Sequence, residues 1–110
     1  MRRGDLVTVA AGAGYAGKPR PAVIIQSDDF GNTASVTVSL VTADEINAPL
    51  LRLSLTPDAE NRLAAPSWIM VDKLVTVRRD RIGRRFGRLS DTDMLRLNRA
   101  LLVFLGLAGG

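Results

Sequence analysis

The chain has 110 residues and a mass of 11.8 kDa, which suits a single domain spanning residues 1–110. Apolar residues make up 46% of the sequence and charged residues 24%, so a packed core is expected. The absence of cysteine and histidine excludes disulfides, thiolate or His-ligated metal sites, and every mechanism that needs a Cys or His side chain. Any catalysis has to use Arg, Lys, Asp, Glu, Tyr, Ser or Thr.

Arginine supplies most of the positive charge. Thirteen Arg and two Lys face nine Asp and two Glu, which gives a net charge of +4 and a pI of about 10.6. Residues 28–60 contain six acids and one Arg (net −5), whereas residues 78–88 contain six Arg and one Asp (net +5). Because guanidinium groups bind phosphates and carboxylates in a bidentate manner, the basic stretch favours a polyanionic partner such as a nucleic acid. A solvated basic loop on an unrelated domain is the alternative.

Neither a targeting segment nor a membrane span is visible. Gly4 and Asp5 follow the N-terminal Met-Arg-Arg where a signal peptide would begin its apolar region. The longest apolar run, residues 100–108, has about half the length that a bilayer requires. We therefore expect a cytoplasmic protein without membrane contact.

Three β-type segments come first along the chain. Residues 6–10 form a short strand-like run before a glycine-rich loop. Residues 22–26 are continuously apolar and rich in β-branched side chains, which is typical of a central strand covered on both faces. Residues 36–42 alternate apolar and hydroxyl side chains, as a half-buried strand does. Together they predict a meander.

Further strand signals follow a turn-rich region. Residues 51–55 alternate with period two and predict a fourth strand, and residues 58–66 form a polar connection. Residues 67–71 and 74–77 are two more β-type pieces. Only Asp72 and Lys73 separate them, which predicts a bulge inside one bent strand.

One helix is predicted, at the C-terminal end. Ser90 with Asp93 imitates a capping box, and Gly106 is suited to end the helix. The apolar residues at helical spacing are Met94, Leu97, Leu101, Phe104 and Leu105. The elements predict a mainly β (α+β) fold, a small, twisted, partly closed β-barrel capped by a helix at about residues 91–105.

A phosphate-binding P-loop is suggested and then rejected. Residues 12–18 match the first seven positions of that motif after a predicted strand. The next residue is Pro19 instead of the Ser or Thr that holds magnesium, and a β-branched run replaces the required helix. We therefore do not expect nucleotide hydrolysis.

The same loop ends in Lys18-Pro19-Arg20-Pro21 at the start of the apolar strand. The two prolines fix φ on both sides of Arg20 and favour extended geometry, so this side chain leaves the loop on a stiff base. The guanidinium of Arg20 can be directed at a bound anion. Alternatively, the prolines only form a turn and the guanidinium lies in solvent.

At this point the chain resembles a known family, the MazF/PemK toxin endoribonucleases. The resemblance covers nearly the whole chain in order and rests on several short blocks. These are Arg3-Gly4-Asp5, residues 17–28, Leu40-Val41-Thr42, residues 71–77, Ile82-Gly83-Arg84 and Leu105-Gly106-Leu107.

The resemblance implies a fold, an activity and partners. The fold is an SH3-like or CcdB-like β-barrel of five to seven strands. The activity is sequence-selective, metal-independent cleavage of single-stranded RNA to 2′,3′-cyclic phosphate and 5′-hydroxyl ends, without a cofactor. A cognate antitoxin neutralises such toxins, DNA is contacted only through the antitoxin complex, and homodimers are usual.

The resemblance also implies site residues. The family's catalytic arginine and threonine carry over to Arg20 and Thr42. Asp72 and Lys73 match an acidic-polar pair that helps to hold RNA, with Lys in place of the usual Gln. Tyr15 and Lys18 occupy the RNA-binding first loop. In the Kid branch a further catalytic Arg precedes the acidic residue by two positions, where this chain has Met70.

RNA recognition should add phosphate contacts and base stacking. Candidate phosphate contacts are Arg78, Arg79, Arg81, Arg84, Arg85 and Arg88, although an acidic antitoxin tail could instead dock on residues 78–85. Tyr15 and Phe30 are candidates for stacking, but Phe30 is interpreted first as a packing residue and Trp68 as core.

Two rival functions and one assembly question stay open at this stage. The chain could be a non-catalytic toxin of the same fold that inhibits a protein such as DNA gyrase, or a plain nucleic-acid-binding barrel. Residues 101–105 are apolar on more than one helix face, which predicts a homodimer that buries the excess, unless both faces pack within one subunit.

Overall fold

The computed structural model describes residues 1–10 and 18–108. These described residues form six strands and one α-helix, together with two short 3₁₀ helices at Asp28–Phe30 and Arg79–Arg81. The strands are β1 (Asp5–Val9), β2 (Arg20–Ile24), β3 (Ser35–Thr42), β4 (Arg52–Leu55), β5 (Ser67–Arg78) and β6 (Ile82–Arg88), and the helix is α1 (Asp91–Phe104).

All six strands belong to one antiparallel sheet in the order β4-β5-β3-β2-β1-β6. The meander of the first three strands is confirmed, and so is the mainly β class. The six strands fall within the five to seven that the resemblance implies, although the sequence pattern did not predict β6. β4 and β6 are the two edges, and within the described residues no ladder joins them. The predicted barrel is therefore an open, bent sheet.

β5 bends where the sequence predicts a bulge. Ser39 of β3 pairs with Leu74, whereas Val41 pairs with Ile69, so one residue of β3 faces four residues of β5. Asp72 and Lys73 lie inside this irregularity. The Oγ of Ser39 donates to the carbonyl of Met70 at 2.8 Å and helps to hold it.

The apolar core has two parts because alternate residues of a strand point to opposite faces. Leu6 and Val23 join a cluster that includes Leu97 and Leu101 of α1. Val7 and Ala22 join a second cluster, which includes Ile24 and Val36 but no helix residue. Both faces of β2 are covered, as its continuous apolar run predicts.

Helix α1 begins and ends at the predicted positions. The Oγ of Ser90 accepts a hydrogen bond from the backbone N–H of Asp93 at 3.1 Å, while the Asp93 carboxylate binds Arg96 at 2.8 Å instead of closing the capping box. Gly106 has a φ of +73°, the left-handed conformation that follows many helices. The apolar residues left exposed at the end of the helix and just beyond it are Leu102, Val103, Phe104, Leu105 and Leu107.

The two aromatic residues predicted to pack are less buried than expected. Phe30 is 61% exposed because it ends a 3₁₀ helix in a surface turn, so its interpretation as a packing residue is wrong. Trp68 is only half-buried on β5, between Thr42 of β3 and Ser54 of β4.

Candidate functional site

One open cleft holds three of the residues singled out from the sequence. It has a volume of about 450 Å³ and lies where β2 begins and β3 ends. Its lining consists of Lys18, Pro19, Arg20, Pro21, Val41, Thr42, Ala43 and Asp44. The loop cation, the Pro-Arg-Pro arginine and the strand-end threonine thus share one basin.

Sheet register explains why Arg20 and Thr42 meet. Ala22 pairs with Leu40, and extending this antiparallel register by two residues brings Arg20 opposite Thr42. Residues directly opposite each other in a sheet point to the same face, with Cβ atoms about 4.5–5.5 Å apart. Two residues separated by 22 positions in the sequence therefore become neighbours at one end of the sheet.

The hydroxyl of Thr42 is oriented by the chain that follows it. The Oγ1 atom accepts a hydrogen bond from the backbone N–H of Asp44 at 3.0 Å. A hydroxyl can accept such a bond and still donate its own hydrogen. The half-buried threonine can therefore donate to an anion in the cleft, beside the exposed cations Lys18 and Arg20.

The acidic residue of the Asp72-Lys73 pair has a partner that the sequence analysis did not identify. Arg52 of β4 forms an ion pair with Asp72, and its side chain is only 10% exposed. Arg52 pairs in the sheet with Met70, the position where the Kid branch carries a further arginine. A guanidinium therefore reaches Asp72 from the neighbouring strand. The available signal was that Arg52 is the sole cation within the acidic residues 28–60.

The predicted RNA-binding arginines differ in their partners and in their exposure. Arg78 is exposed and pairs with Asp80 at 2.5 Å. Arg79 donates from Nε to the carbonyl of Thr33 and from its terminal Nη2 to that of Gly31, each at 2.9 Å, so it holds a turn in place. Arg81 is exposed at the end of the 3₁₀ helix that precedes β6.

Arg84 and Arg85 instead line a second cleft, on β6, together with Arg62 and Arg88. Lys73 is exposed on β5. Tyr15, and most of the P-loop-like segment, lie outside the described residues.

A buried carboxylate lies beside the second cleft. Asp5 is 2% exposed and forms ion pairs with Arg88 at 3.0 Å and with Arg85 at 3.2 Å. Burial alone would raise the pKa of the Asp5 carboxyl, but hydrogen bonds from the backbone N–H of Arg2 and from Arg85 and Arg88 hold this pKa below its ordinary value. Asp5 is therefore charged at neutral pH and anchors two arginines of β6.

The described ranges contain neither a membrane-spanning helix nor a cluster of metal ligands. No helix within residues 1–10 and 18–108 is long and apolar enough to cross a membrane. The same ranges contain no group of three or more acidic side chains arranged to hold a metal ion.

Comparison of the sequence with known proteins identifies a family and a relative that cover nearly the whole chain. Residues 2–105 match the family described as PemK-like, MazF-like toxin of type II toxin-antitoxin system. The chain is 53% identical over 109 residues to a protein of Mycolicibacterium smegmatis (strain ATCC 700084 / mc(2)155) named "Probable endoribonuclease MazF". That match covers 99% of this chain and all of the relative.

Solved structures share the fold at lower identity. An endoribonuclease in complex with its cognate antitoxin, from a mycobacterial species, superposes with a TM-score of 0.81 at 23% identity, covering 97% of this chain and 96% of the other. A MazE-MazF structure from Deinococcus radiodurans gives a TM-score of 0.77 at 18% identity, covering 96% of both chains. The family match over residues 2–105 and the 53% identical relative together show that this chain belongs to the PemK-like, MazF-like toxins of type II toxin-antitoxin systems.

Proposed function

We propose that this chain is an endoribonuclease toxin that cuts single-stranded RNA in the cytoplasm, and that a cognate antitoxin neutralises it. The observation that carries the proposal is the shared cleft of Arg20 and Thr42, two residues from different strands that both line one open cavity of about 450 Å³. The 53% identical relative named as an endoribonuclease supports the same activity. A gyrase inhibitor is less favoured, because it has no need of a guanidinium and a hydroxyl facing one phosphate.

RNA carries its own nucleophile, so the protein has to orient and stabilise rather than attack. The 2′-oxygen attacks the adjacent phosphorus and loses its proton, the bond from phosphorus to the 5′-oxygen breaks, and that oxygen takes up a proton. The products are a 2′,3′-cyclic phosphate and a 5′-hydroxyl, and no metal or cofactor is required.

Arg20 and Thr42 are proposed to act on the phosphorane that forms in between. Arg20 donates charge-assisted hydrogen bonds to the non-bridging oxygens, and the hydroxyl of Thr42 donates one more. We assign Arg20 to electrostatic stabilisation, because a guanidinium group gives up its proton too reluctantly to be a good general base. Lys18 adds positive charge at the cleft rim, and the Asp72-Lys73 pair contributes to holding the RNA.

The proposed assembly has two parts. A homodimer would cover the apolar residues exposed at the end of α1, where five large side chains between Leu102 and Leu107 face solvent in the isolated chain. The antitoxin would bind the toxin, as the mycobacterial neighbour's complex with its cognate antitoxin suggests. DNA would be bound only through that complex.

The test is cleavage of a long unstructured RNA by the purified protein with chelator present. Removing one preorganised donor costs about 10²- to 10³-fold in rate, so Arg20→Ala and Thr42→Val should each lose that much. Thr42→Ser keeps the hydroxyl and is the matched control, and Arg99→Ala removes an exposed charge on α1 outside the cleft.

Chemical mapping of the cut ends should give cyclic phosphates and 5′-hydroxyls. Normal cleavage by folded Arg20→Ala protein would contradict the site. Inhibition of gyrase supercoiling without any RNA product would instead support the rival function.

A further inference from the structure

The second cleft, on β6, has a volume of about 680 Å³. Four guanidinium groups and one carboxylate contribute to its lining. The arginines are Arg62, Arg84, Arg85 and Arg88, and the acid is Glu60. The cleft shares no lining residue with the cleft of Arg20 and Thr42.

One wall of this cleft is a loop held by a buried asparagine. Asn61 is 0% exposed, and its Oδ1 accepts hydrogen bonds from the backbone N–H groups of Asp58 and Leu63 at 3.0 Å each. Its Nδ2 donates to the carbonyl of Thr56 at 2.9 Å. The loop conformation is thus fixed by a satisfied polar side chain.

The next residue of the loop adopts an unusual backbone conformation. Arg62 has a φ of +55°, and it is the only residue other than glycine with positive φ in the described ranges. Glycine or asparagine adopts this left-handed region far more easily than arginine does. Backbone strain of this kind is concentrated at functional sites. The side chain of Arg62 is therefore a candidate for a functional role, since an arginine is kept at a position where its backbone conformation is unfavourable.

The opposite wall is β6, which the loop approaches closely. A Cβ atom at Gly87 would lie 2.2 Å from the carbonyl oxygen of Asn61, so only glycine fits there without a shift of the backbone. The backbone N–H of Arg88 donates to the carbonyl of Glu60 at 2.9 Å. This docking holds Arg62 and the arginines of β6 around one cavity.

The four arginines divide into two anchored and two available ones. Arg85 and Arg88 are paired with buried Asp5. The side chains of Arg62 and Arg84 form no hydrogen bond or ion pair with any other described residue, and both are exposed. Two guanidinium groups are therefore ready to bind an anion, supported by two more that are held in place.

We propose that this second cleft binds phosphodiester groups of the RNA at nucleotides away from the cut, an inference that rests on the proposed function. Planar guanidinium forks match the oxygens of a phosphate. Phe86 lies between Arg85 and Arg88 in the sequence and also lines the cleft, so an aromatic side chain accompanies the cations, as is common where single-stranded nucleic acids bind.

The position of the cleft also suits a strand that reaches the catalytic cleft. Val9 of β1 pairs with Arg20 on one side, and Val7 of β1 pairs with Arg85 on the other. Arg20 and Arg85 are therefore separated by two residues along the strand direction, which is about 7 Å. Across the sheet they are separated by two strand spacings, which is about 10 Å. An RNA strand of a few nucleotides can span that separation.

The test measures binding of an RNA that cannot be cut. The probe is a fluorescent 2′-O-methyl oligoribonucleotide of mixed sequence, which lacks the 2′-hydroxyl nucleophile, and its anisotropy is followed over a salt titration. The variant is Arg62→Gly with Arg84→Ala. The matched control is Arg2→Ala with Arg99→Ala, which removes the same charge from exposed positions outside both clefts.

We expect the cleft variant to bind at least about tenfold more weakly than the control, because two charge-assisted phosphate contacts are lost. The slope of log K against log salt should also become shallower by about 0.7 for each contact. Arg62→Gly alone should leave the free energy of unfolding unchanged or increase it, since glycine relieves the strain.

Equal affinity and slope in the cleft variant and the control would overturn the inference. A cleft variant that still binds RNA but no longer binds a labelled glutamate-rich peptide would also overturn the inference, because the cleft would then be a site for acidic polypeptides. Failure of the proposed function is distinguishable, since it appears as an absence of RNA cleavage by the wild-type protein, while the uncleavable probe reports on the cleft alone.

Discussion

Asp5→Asn is the substitution whose effect follows most directly from the structure. The Asp5 carboxylate is almost fully buried and accepts hydrogen bonds from the backbone N–H of Arg2 at 2.7 Å and from Arg88 at 3.0 Å, with the Nε of Arg85 at 3.2 Å. Asparagine has nearly the same shape and keeps an oxygen for Arg2. It removes the negative charge and turns an N–H₂ group toward the guanidinium groups.

The expected loss in the free energy of unfolding follows from the two arginines that pair with Asp5. Removing one member of a buried ion pair costs about 3–5 kcal/mol. The Arg88 side chain is 28% exposed and that of Arg85 is 53% exposed, so water compensates part of the lost interaction. We therefore expect Asp5→Asn to lower the free energy of unfolding by about 2–3 kcal/mol at pH 7.

The lowered pKa of Asp5 determines how the difference in unfolding free energy between wild type and Asp5→Asn changes with pH. The pKa of Asp5 in the folded chain lies below its ordinary value, so the stabilisation is complete above that ordinary value and is lost as pH falls through the lowered one. The gap between wild type and Asp5→Asn should be constant from neutral pH down to about pH 5 and should shrink below about pH 4.

The assay is urea unfolding at a series of pH values. Asp80→Asn is the control, because Asp80 also pairs with an arginine, but with side chains 61% and 72% exposed. Surface pairs of this type contribute about 0–1 kcal/mol, so this variant should unfold almost like the wild type. A gap for Asp5→Asn that stays the same at pH 3 and pH 7, or that matches Asp80→Asn, would refute the reasoning.

Three further substitutions probe the packing that positions the two clefts, each by urea unfolding. Gly87→Ala places a Cβ atom against backbone of the Asn61 loop and should cost about 1–3 kcal/mol and weaken RNA binding, whereas Gly31→Ala, with its nearest contact at 3.3 Å, should change stability little. Equal stability of the two variants would argue against the close approach. Leu97→Ala removes a fully buried side chain from the interface of α1 with the sheet and should cost about 2–5 kcal/mol; a cost below about 1 kcal/mol would mean that the helix packs loosely. Ser90→Ala deletes the N-cap acceptor and should cost about 1 kcal/mol, with an unchanged midpoint counting against the cap.

Local pattern predicted most of the elements. The continuous apolar run of residues 22–26 became the central strand β2, covered on both faces, and Ser90 and Gly106 marked the ends of α1. β6 was missed as a strand because its glycines and arginines leave only two apolar side chains, so alternation was too weak to detect. Phe30 was misjudged because hydrophobicity alone does not tell whether a turn lies over the core.

The candidate site was predicted in part. Arg20 and Thr42 were selected through a family resemblance, and the structure brings them to one cleft, while their catalytic roles stay predictions. The pairing of Arg52 with Asp72 spans 20 positions and was invisible, because only the sheet register makes β4 and β5 neighbours.

What the sequence by itself determined is therefore the set of local preferences: where the chain extends, where α1 starts and stops, and which segment carries the excess positive charge. These follow from interactions between residues a few positions apart. Tertiary structure alone decided which arginines are anchored and which are available, because that depends on distant partners such as Asp5 and on the loop that holds Arg62 against β6. Composition sets the number of arginines, but packing decides where each guanidinium group lies and which partner it has.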